Sequence, residues 1–240
     1  MSLSIVSIDT SSQVSSVAVL SAERVSAELS MQGALTHSET LMPHIDTVLH
    51  MARVKKEELG GIAVSIGPGS FTGLRIGLAA AKMMAYALRI PLIAVPTLEA
   101  LAHHYVCEGV RLVALMDAQK GNVYAQEFAW HVDGDALKLQ EIRSLAIIPL
   151  TEVIAELDGT AQPVLLLGDA MQKRIVPLPP GVHLAPIHAR MPRAACVGLA
   201  GLARLACGET VDPVTAVPLY LRRSEAEVLW DRRHGVEAAQ

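Results

Sequence analysis

Aromatic residues are scarce in this 240-residue chain, at 3%. Its core must therefore be built from Val, Leu, Ile and Ala, and platforms for stacking unpaired bases are missing. Charge is sparse too. Charged residues make up 18% against 51% hydrophobic, which excludes a disordered chain. There is no basic excess either: the net charge of −4 denies the chain the cationic footprint of a nucleic-acid binder. Any RNA must find most of its phosphate contacts elsewhere. The cysteines, Cys107, Cys196 and Cys207, are odd in number and none belongs to a C-x-x-C pair. That excludes a disulfide framework and a zinc site and fits core thiols in a reducing compartment. No apolar run reaches the ~18 residues of a membrane span. Segment 3–8 has no basic lead and meets Asp9 at once, unlike a signal peptide. The expectation is a cytoplasmic protein without membrane contact.

The length suits one large domain or two modest lobes. Alternation and apolar runs predict strands over 3–8, 14–20 and 24–30, an antiparallel meander. Thr36 and Glu39 have capping-box spacing, and the apolar residues from Leu41 to Ala52 fall at helical spacing, so 37–54 reads as an amphipathic helix. A buried strand over 61–66 leads through a Gly-rich segment into a long helix. A strand over 91–95 and a helix from Pro96 to His104 follow. The plan then restarts. Strands are predicted over 111–116, 122–129, 138–145 and 164–167, and helices over 151–157 and 193–206. Strand, Asp and polar turn occur twice, with Asp9 and Asp117 in matching places. Two similar lobes facing across a cleft are predicted, 1–106 and 107–225, with a tail over 226–240. That plan is typical of the actin-like ATPase (ASKHA, RNase H-like) fold, an α/β architecture with mixed sheets.

The Gly-rich block Gly67-Pro-Gly-Ser-Phe-Thr-Gly-Leu-Arg-Ile-Gly77 follows a strand and enters a helix, a setting that can bind phosphate. It lacks the Gly-Lys-Ser/Thr ending of a Walker loop, and its glycine spacing is one residue too long for the dinucleotide fingerprint. What it does have is a ridge. Gly69, Gly73, Gly77, Ala81 and Ala85 recur every four residues along one helix face. Each glycine inside a helix costs roughly 1 kcal/mol against alanine. Such a ridge admits another backbone at close range, and spacing alone leaves open whether that backbone is internal or a partner's.

The motifs Asp9-Thr-Ser, the Gly-rich block, Asp117-Ala-Gln-Lys-Gly121 and Pro218-Leu-Tyr-Leu-Arg222 occur in an order that resembles the bacterial TsaB (YeaZ) family. The resemblance implies the actin-like fold and a part in making threonylcarbamoyladenosine on tRNAs that read ANN codons. It implies as partners the catalytic paralogue TsaD and the ATPase TsaE, with tRNA met only through the complex. It also implies an interface on the helix after the Gly-rich block and the helix before it. The matching positions are Gly69, Phe71, Thr72, Gly73, Arg75, Ile76, Gly77 and Ala81, with Leu41, Met42, His44 and Ile45. The same face is expected to make homodimers in isolation. On this reading the glycine ridge is for docking.

The resemblance also marks what is missing. TsaD carries His-Met-Glu-Gly-His, two metal ligands on one helix face, where this chain has Thr97-Leu-Glu-Ala-Leu101. Threonine is a poor ligand for a transition metal and leucine is none. The adjacent His103 and His104 point about 100° apart on a helix and do not restore the pair. No G-x-S-x-G elbow is present. A non-catalytic scaffold and activator is expected, a pseudo-enzyme with no catalytic residue, metal or required cofactor. Asp9, Thr10, Ser11 and Asp117 are the residues left for a weak, vestigial nucleotide contact; capping of hairpin turns is the other role open to the two aspartates. The rival reading is an autonomous ATPase or metallopeptidase-like enzyme.

Overall fold

The computed structural model describes residues 3–32, 37–172 and 176–222. Two five-stranded mixed sheets form the frame. The first contains β1 (Ser4–Asp9), β2 (Ser15–Leu20), β3 (Val25–Met31), β4 (Leu59–Gly67) and β5 (Leu92–Pro96), in the order β3-β2-β1-β4-β5. The second contains β6 (Arg111–Asp117), β7 (Asn122–Asp133), β8 (Ala136–Pro149), β9 (Val164–Leu167) and β10 (Val182–Leu184). Read from β8, its order β8-β7-β6-β9-β10 repeats that of the first. In each sheet the Asp ends the central strand, Asp9 on β1 and Asp117 on β6, and an antiparallel partner follows. The predicted repeat is present, on the actin-like two-lobe plan.

β1 and β2 are buried on both faces, because helices cover the first sheet on each side. Alternate residues sort themselves accordingly. Val6, Ile8, Val17 and Val19 meet α1 (His37–Ala52) and α2 (Phe71–Leu88) through Leu41, Ile45, Val48, Leu78, Ala81 and Ala85. Ile5, Ala18 and Leu20 meet α5 (Ala194–Ala206) through Ala194, Val197 and Ala200. The second lobe buries Leu150, Val153 and Ile154 of α4 (Leu150–Glu156) against Val113, Leu115 and Val123. Its other face packs on α3 (Thr97–Ala102) through Leu98 and Leu101. Among the described residues no helix is long and apolar enough to cross a membrane.

The lobe boundaries need correction. Residues 107–225 do not form one contiguous second lobe, because α5 returns to the first. Gly198 and Gly201 make this docking possible: a Cβ at Gly201 would lie 2.6 Å from Ala63 Cβ, and one at Gly198 would overlap the Leu20 side chain. The first sheet also caps the helix. Ser16 Oγ accepts from Ala194 N at 2.9 Å, Glu28 accepts from Ala195 N at 3.1 Å, and Ser7 Oγ donates to Ala194 O at 2.6 Å. The chain then stays with that lobe through Val211 N to Leu92 O, 2.9 Å, and Leu219 N to Ile66 O, 2.8 Å. Of the remaining expectations, the Thr36 cap and the tail 226–240 lie outside the described residues.

The closest approach in the first lobe is between α2 and the β1–β2 turn. A Cβ on Gly73 would overlap the Thr10 carbonyl oxygen, and the nearest side chain, His37, would stand 3.3 Å away. Alanine is the better helix former by roughly 1 kcal/mol, yet overpacking of this kind costs about 1–3 kcal/mol and backbone cannot swing aside. Gly73→Ala is therefore expected to lower unfolding stability in denaturant titration, against the helix-propensity trend. An unchanged or raised midpoint would contradict this packing.

Candidate partner-docking face and interlobe cleft

α2 begins on a side-chain cap, with Ser70 Oγ accepting from Gly73 N at 3.2 Å, and ends on Arg89 in the left-handed region. Its inner face is Gly73, Leu74, Gly77, Leu78, Ala81 and Ala85, all buried. The β1–β2 turn lies directly on that face. Thr10 Oγ1 donates to Gly73 O at 2.8 Å, and Ser70 N donates to Ser11 O at 2.7 Å. Cβ atoms on Gly69 and Gly77 would collide with the Ser11 carbonyl and the Thr10 hydroxyl. The backbone that needs the glycines is thus the protein's own. The docking role expected for Gly69, Gly73, Gly77 and Ala81 is corrected: the turn covers the three glycines, and Ala81 is buried in the core beneath the helix.

The opposite face of α2 is open. Thr72, Arg75, Ala79, Met83, Tyr86 and Ala87 are exposed there, with Ile76 and Ala80 half-buried. Met83 and Tyr86 are each 68% exposed. α1 packs beside α2 and turns Met42 and Met51 outward, while Leu41 and Ile45 enter the core. His44 is also buried, with Nδ1 3.4 Å from Ser15 Oγ, and burial lowers its pKa. So Met42, Thr72 and Arg75 are exposed and Ile76 is half-buried, whereas Leu41, His44 and Ile45 enter the core. Phe71 is half-buried and stacks on Tyr220 at 4.8 Å, with the Arg75 guanidinium 3.9 Å from its centroid. Ala79, Met83 and Tyr86 were missed as surface residues. Their own helical spacing, offset from the glycines, was the available signal.

Between the lobes lies a cleft of about 490 Å³, bordered by His37, Ser70, Phe71, Asp117, Tyr124, Asp169 and Arg222 among others. The four residues expected to contact nucleotide do not converge there. Asp9 is fully buried behind its own turn. Its carboxylate accepts from Ser11 N at 3.1 Å and Ser11 Oγ at 3.0 Å, and also from Ser65. Ser65 Oγ lies 2.7 Å from Thr97 Oγ1, so the network runs on to the first residue of α3. Thr10 is buried against α2, which leaves Ser11 and Asp117 at the cleft. Asp117 Oδ1 accepts from Gln119 N at 2.9 Å, and its amide donates to Asp169 Oδ1 at 2.9 Å. Both aspartates act as turn residues.

The donors at Thr97–His104 and at Asp9 do not fit a resident metal. Leu101 is fully buried in the core, and the carboxylate oxygens of Asp9 are committed to hydroxyls and an amide. His103 Nδ1 lies 3.0 Å from Glu99 O, and its ring meets Trp130 edge-on. His104 Nε2 lies 3.0 Å from Met191 O, and burial takes its pKa down to about 4. No group of three His, Cys, Asp or Glu able to hold a metal ion occurs among the described residues.

Burial is the dominant influence on Asp9 and raises its pKa to about 6, the Ser65 and Ser11 hydrogen bonds opposing it. A folded-state value above the unfolded one makes a contribution that is complete below about pH 4 and lost as pH rises through about 6. Asp9→Asn is expected to flatten thermal stability between pH 4 and pH 7. The variant should gain on the parent above pH 6, by up to roughly 3 kcal/mol. A variant that loses as much stability at pH 7.5 as at pH 4 would contradict the sealed carboxylate.

A family model described as TsaD, tRNA N6-adenosine threonylcarbamoyltransferase, matches residues 32–140, which include both outer helices. The tRNA threonylcarbamoyladenosine biosynthesis protein TsaB of Bacillus subtilis is 30% identical over 235 residues, covering 95% of this chain and 98% of that protein. Among solved structures, a Pseudomonas aeruginosa protein described as similar to peptidase YeaZ superposes with a TM-score of 0.76 at 28% identity. The match covers 92% of this chain and 100% of that one. YeaZ from the same species gives 0.72 at 29% identity, over 91% of this chain and 100% of that one. EutJ of Carboxydothermus hydrogenoformans, at 13% identity and a TM-score of 0.51, shares the fold alone. Similarity along nearly the whole length, on the same two-lobed frame, makes this chain a member of the TsaB (YeaZ) family of tRNA threonylcarbamoyladenosine biosynthesis proteins.

Proposed function

We propose that this chain is a non-catalytic subunit that scaffolds and activates a TsaD-type threonylcarbamoyltransferase during threonylcarbamoyladenosine synthesis. The tRNAs concerned read ANN codons, and they meet this chain only through the complex, in the cytoplasm. A TsaE-type ATPase is the second partner, and the chain pairs with its own copy when the catalytic paralogue is absent. No metal or nucleotide is needed by this subunit.

The observation that carries the reading is a contrast between two surfaces. The outer stripe of α2, with Met83 and Tyr86 exposed beside Met42 and Met51 of α1, is apolar and accessible. The positions where chemistry would be sought are filled: Leu101 is core, Thr97 is hydrogen-bonded to Ser65, and Asp9 is sealed. Exposed methionine is adaptable contact material, and aromatic anchors carry much of the energy of protein interfaces. The rival reading, an autonomous ATPase or metallopeptidase, needs accessible carboxylates or ligating side chains; Leu101, Thr97 and the sealed Asp9 do not supply them, and it would have to rely on Asp117 and Asp169 at the cleft.

Met83→Asp should leave the melting temperature unchanged, because the side chain is exposed. It should weaken binding to the TsaD-type paralogue by about 2 kcal/mol or more, roughly thirtyfold, and reduce threonylcarbamoyl transfer in the reconstituted system to match. Calorimetry of the isolated chain with ATP or Zn²⁺ should give no saturable heat. Saturable binding abolished by Asp117→Ala would favour the rival.

A further inference from the structure

Within the motif Pro218-Leu-Tyr-Leu-Arg222 the chain crosses from one lobe to the other. The crossing begins on the first lobe, at the end of β4. Leu219 N donates to Ile66 O at 2.8 Å, and a Cβ on Gly67 would lie 2.9 Å from Leu219 O. Tyr220 stacks on Phe71 at the start of α2, and its hydroxyl accepts from Arg75 Nε at 2.8 Å. The next two residues belong to the second lobe. Leu221 packs against the core cluster that holds Met116, Tyr124 and Phe128. Arg222 Nη1 donates to Ala118 O at 2.9 Å, in the turn between β6 and β7, and reaches Gln119 Oε1 at 3.4 Å.

All four residues border the cleft. The lobes are also joined through α3, which both cores share: Ala100 lies in the first, Leu98 and Leu101 in the second. Glu99 accepts from Arg204 of α5 at 3.0 and 2.5 Å, and Ala102 O accepts from Trp130 Nε1 of β7 at 3.2 Å. Hinge closure of a two-lobed protein turns on a few residues at a joint of this kind. A second fastening, on β4, α2 and the β6–β7 turn, restricts the rotation that one joint allows. Its hydrogen bond from a guanidinium to a carbonyl belongs to the stronger class.

We propose that Leu219–Arg222 is a clasp that holds the two lobes at one angle, so that the cleft of about 490 Å³ keeps its width. Closure around a ligand, by which two-lobed enzymes shut water out of a reaction, is denied to this chain while the clasp is fastened. Displacing Arg222 from Ala118 frees the second lobe to turn about α3.

The test uses the full chain with Cys107 and Cys207 replaced by Ser. Spin labels are carried by Asp46→Cys on α1 and Thr151→Cys on α4, exposed positions on helices of different lobes. Double electron–electron resonance should give a single narrow distance distribution in this labelled parent. Adding Arg222→Ala with Leu221→Ser is expected to broaden the distribution and shift its mean, at unchanged circular dichroism. Arg222→Ala alone should do the same by less, and it carries the test if the double variant fails to fold. Folded variants that keep the parent's mean and width would overturn the clasp. A parent distribution that is already broad or double would overturn it equally, because the lobes would then move with the clasp in place.

Discussion

The approach of two carbonyl groups to one helix sets the terms for the rest of the molecule. Thr10 and Ser11 place their backbone oxygens where side chains at Gly73 and Gly69 would otherwise stand, and the Thr10 hydroxyl takes the same space at Gly77. The approach does three things at once. It lets the Thr10 hydroxyl and the Ser70 amide close hydrogen bonds between turn and helix. It seals Asp9 beneath the turn, where burial raises its pKa. It also fixes the rotation of α2, so that the residues half a turn away from the glycines face outward as a continuous stripe.

A buried carboxylate is costly to keep charged, and hydrogen bonds recover only part of that cost. Asp9 is raised despite accepting from Ser11 and Ser65, so the turn is maintained at an energetic penalty near neutral pH. A carboxylate meant for a nucleotide-bound metal would need access to the cleft. This one is committed to its neighbours, and the network runs on through Ser65 to Thr97. Asp9 and Thr97, which suggest chemistry in the sequence, are held here in packing and hydrogen bonds within the first lobe.

Much of this was legible in the sequence. Alternation and apolar runs predict nine of the ten strands among the described residues; β10, three residues long with a central His183, escapes because so short a run carries no period. The doubled Asp turn predicted the paired sheets because each copy encodes its topology locally. The lobe boundary was not legible: alanine-rich periodicity at 194–206 specifies a helix but not the sheet it covers. The glycine ridge failed for a related reason. A four-residue period identifies a face of close approach, and what approaches it is a tertiary fact. The outer stripe at Thr72, Ile76, Ala79, Met83 and Tyr86 is equally periodic, and only the tertiary structure tells the covered face from the open one.

The central claim is that α2 presents its glycines inward and Met83 outward to a partner. Methionine oxidation footprinting of the chain, alone and with the TsaD-type paralogue, tests it most directly. In the free protein Met42, Met51 and Met83 should oxidise readily, and the buried Met116 and Met171 slowly. In the complex, Met42 and Met83 should become protected while Met116 stays as it was. A stable complex in which Met83 oxidises at its free rate would contradict the account.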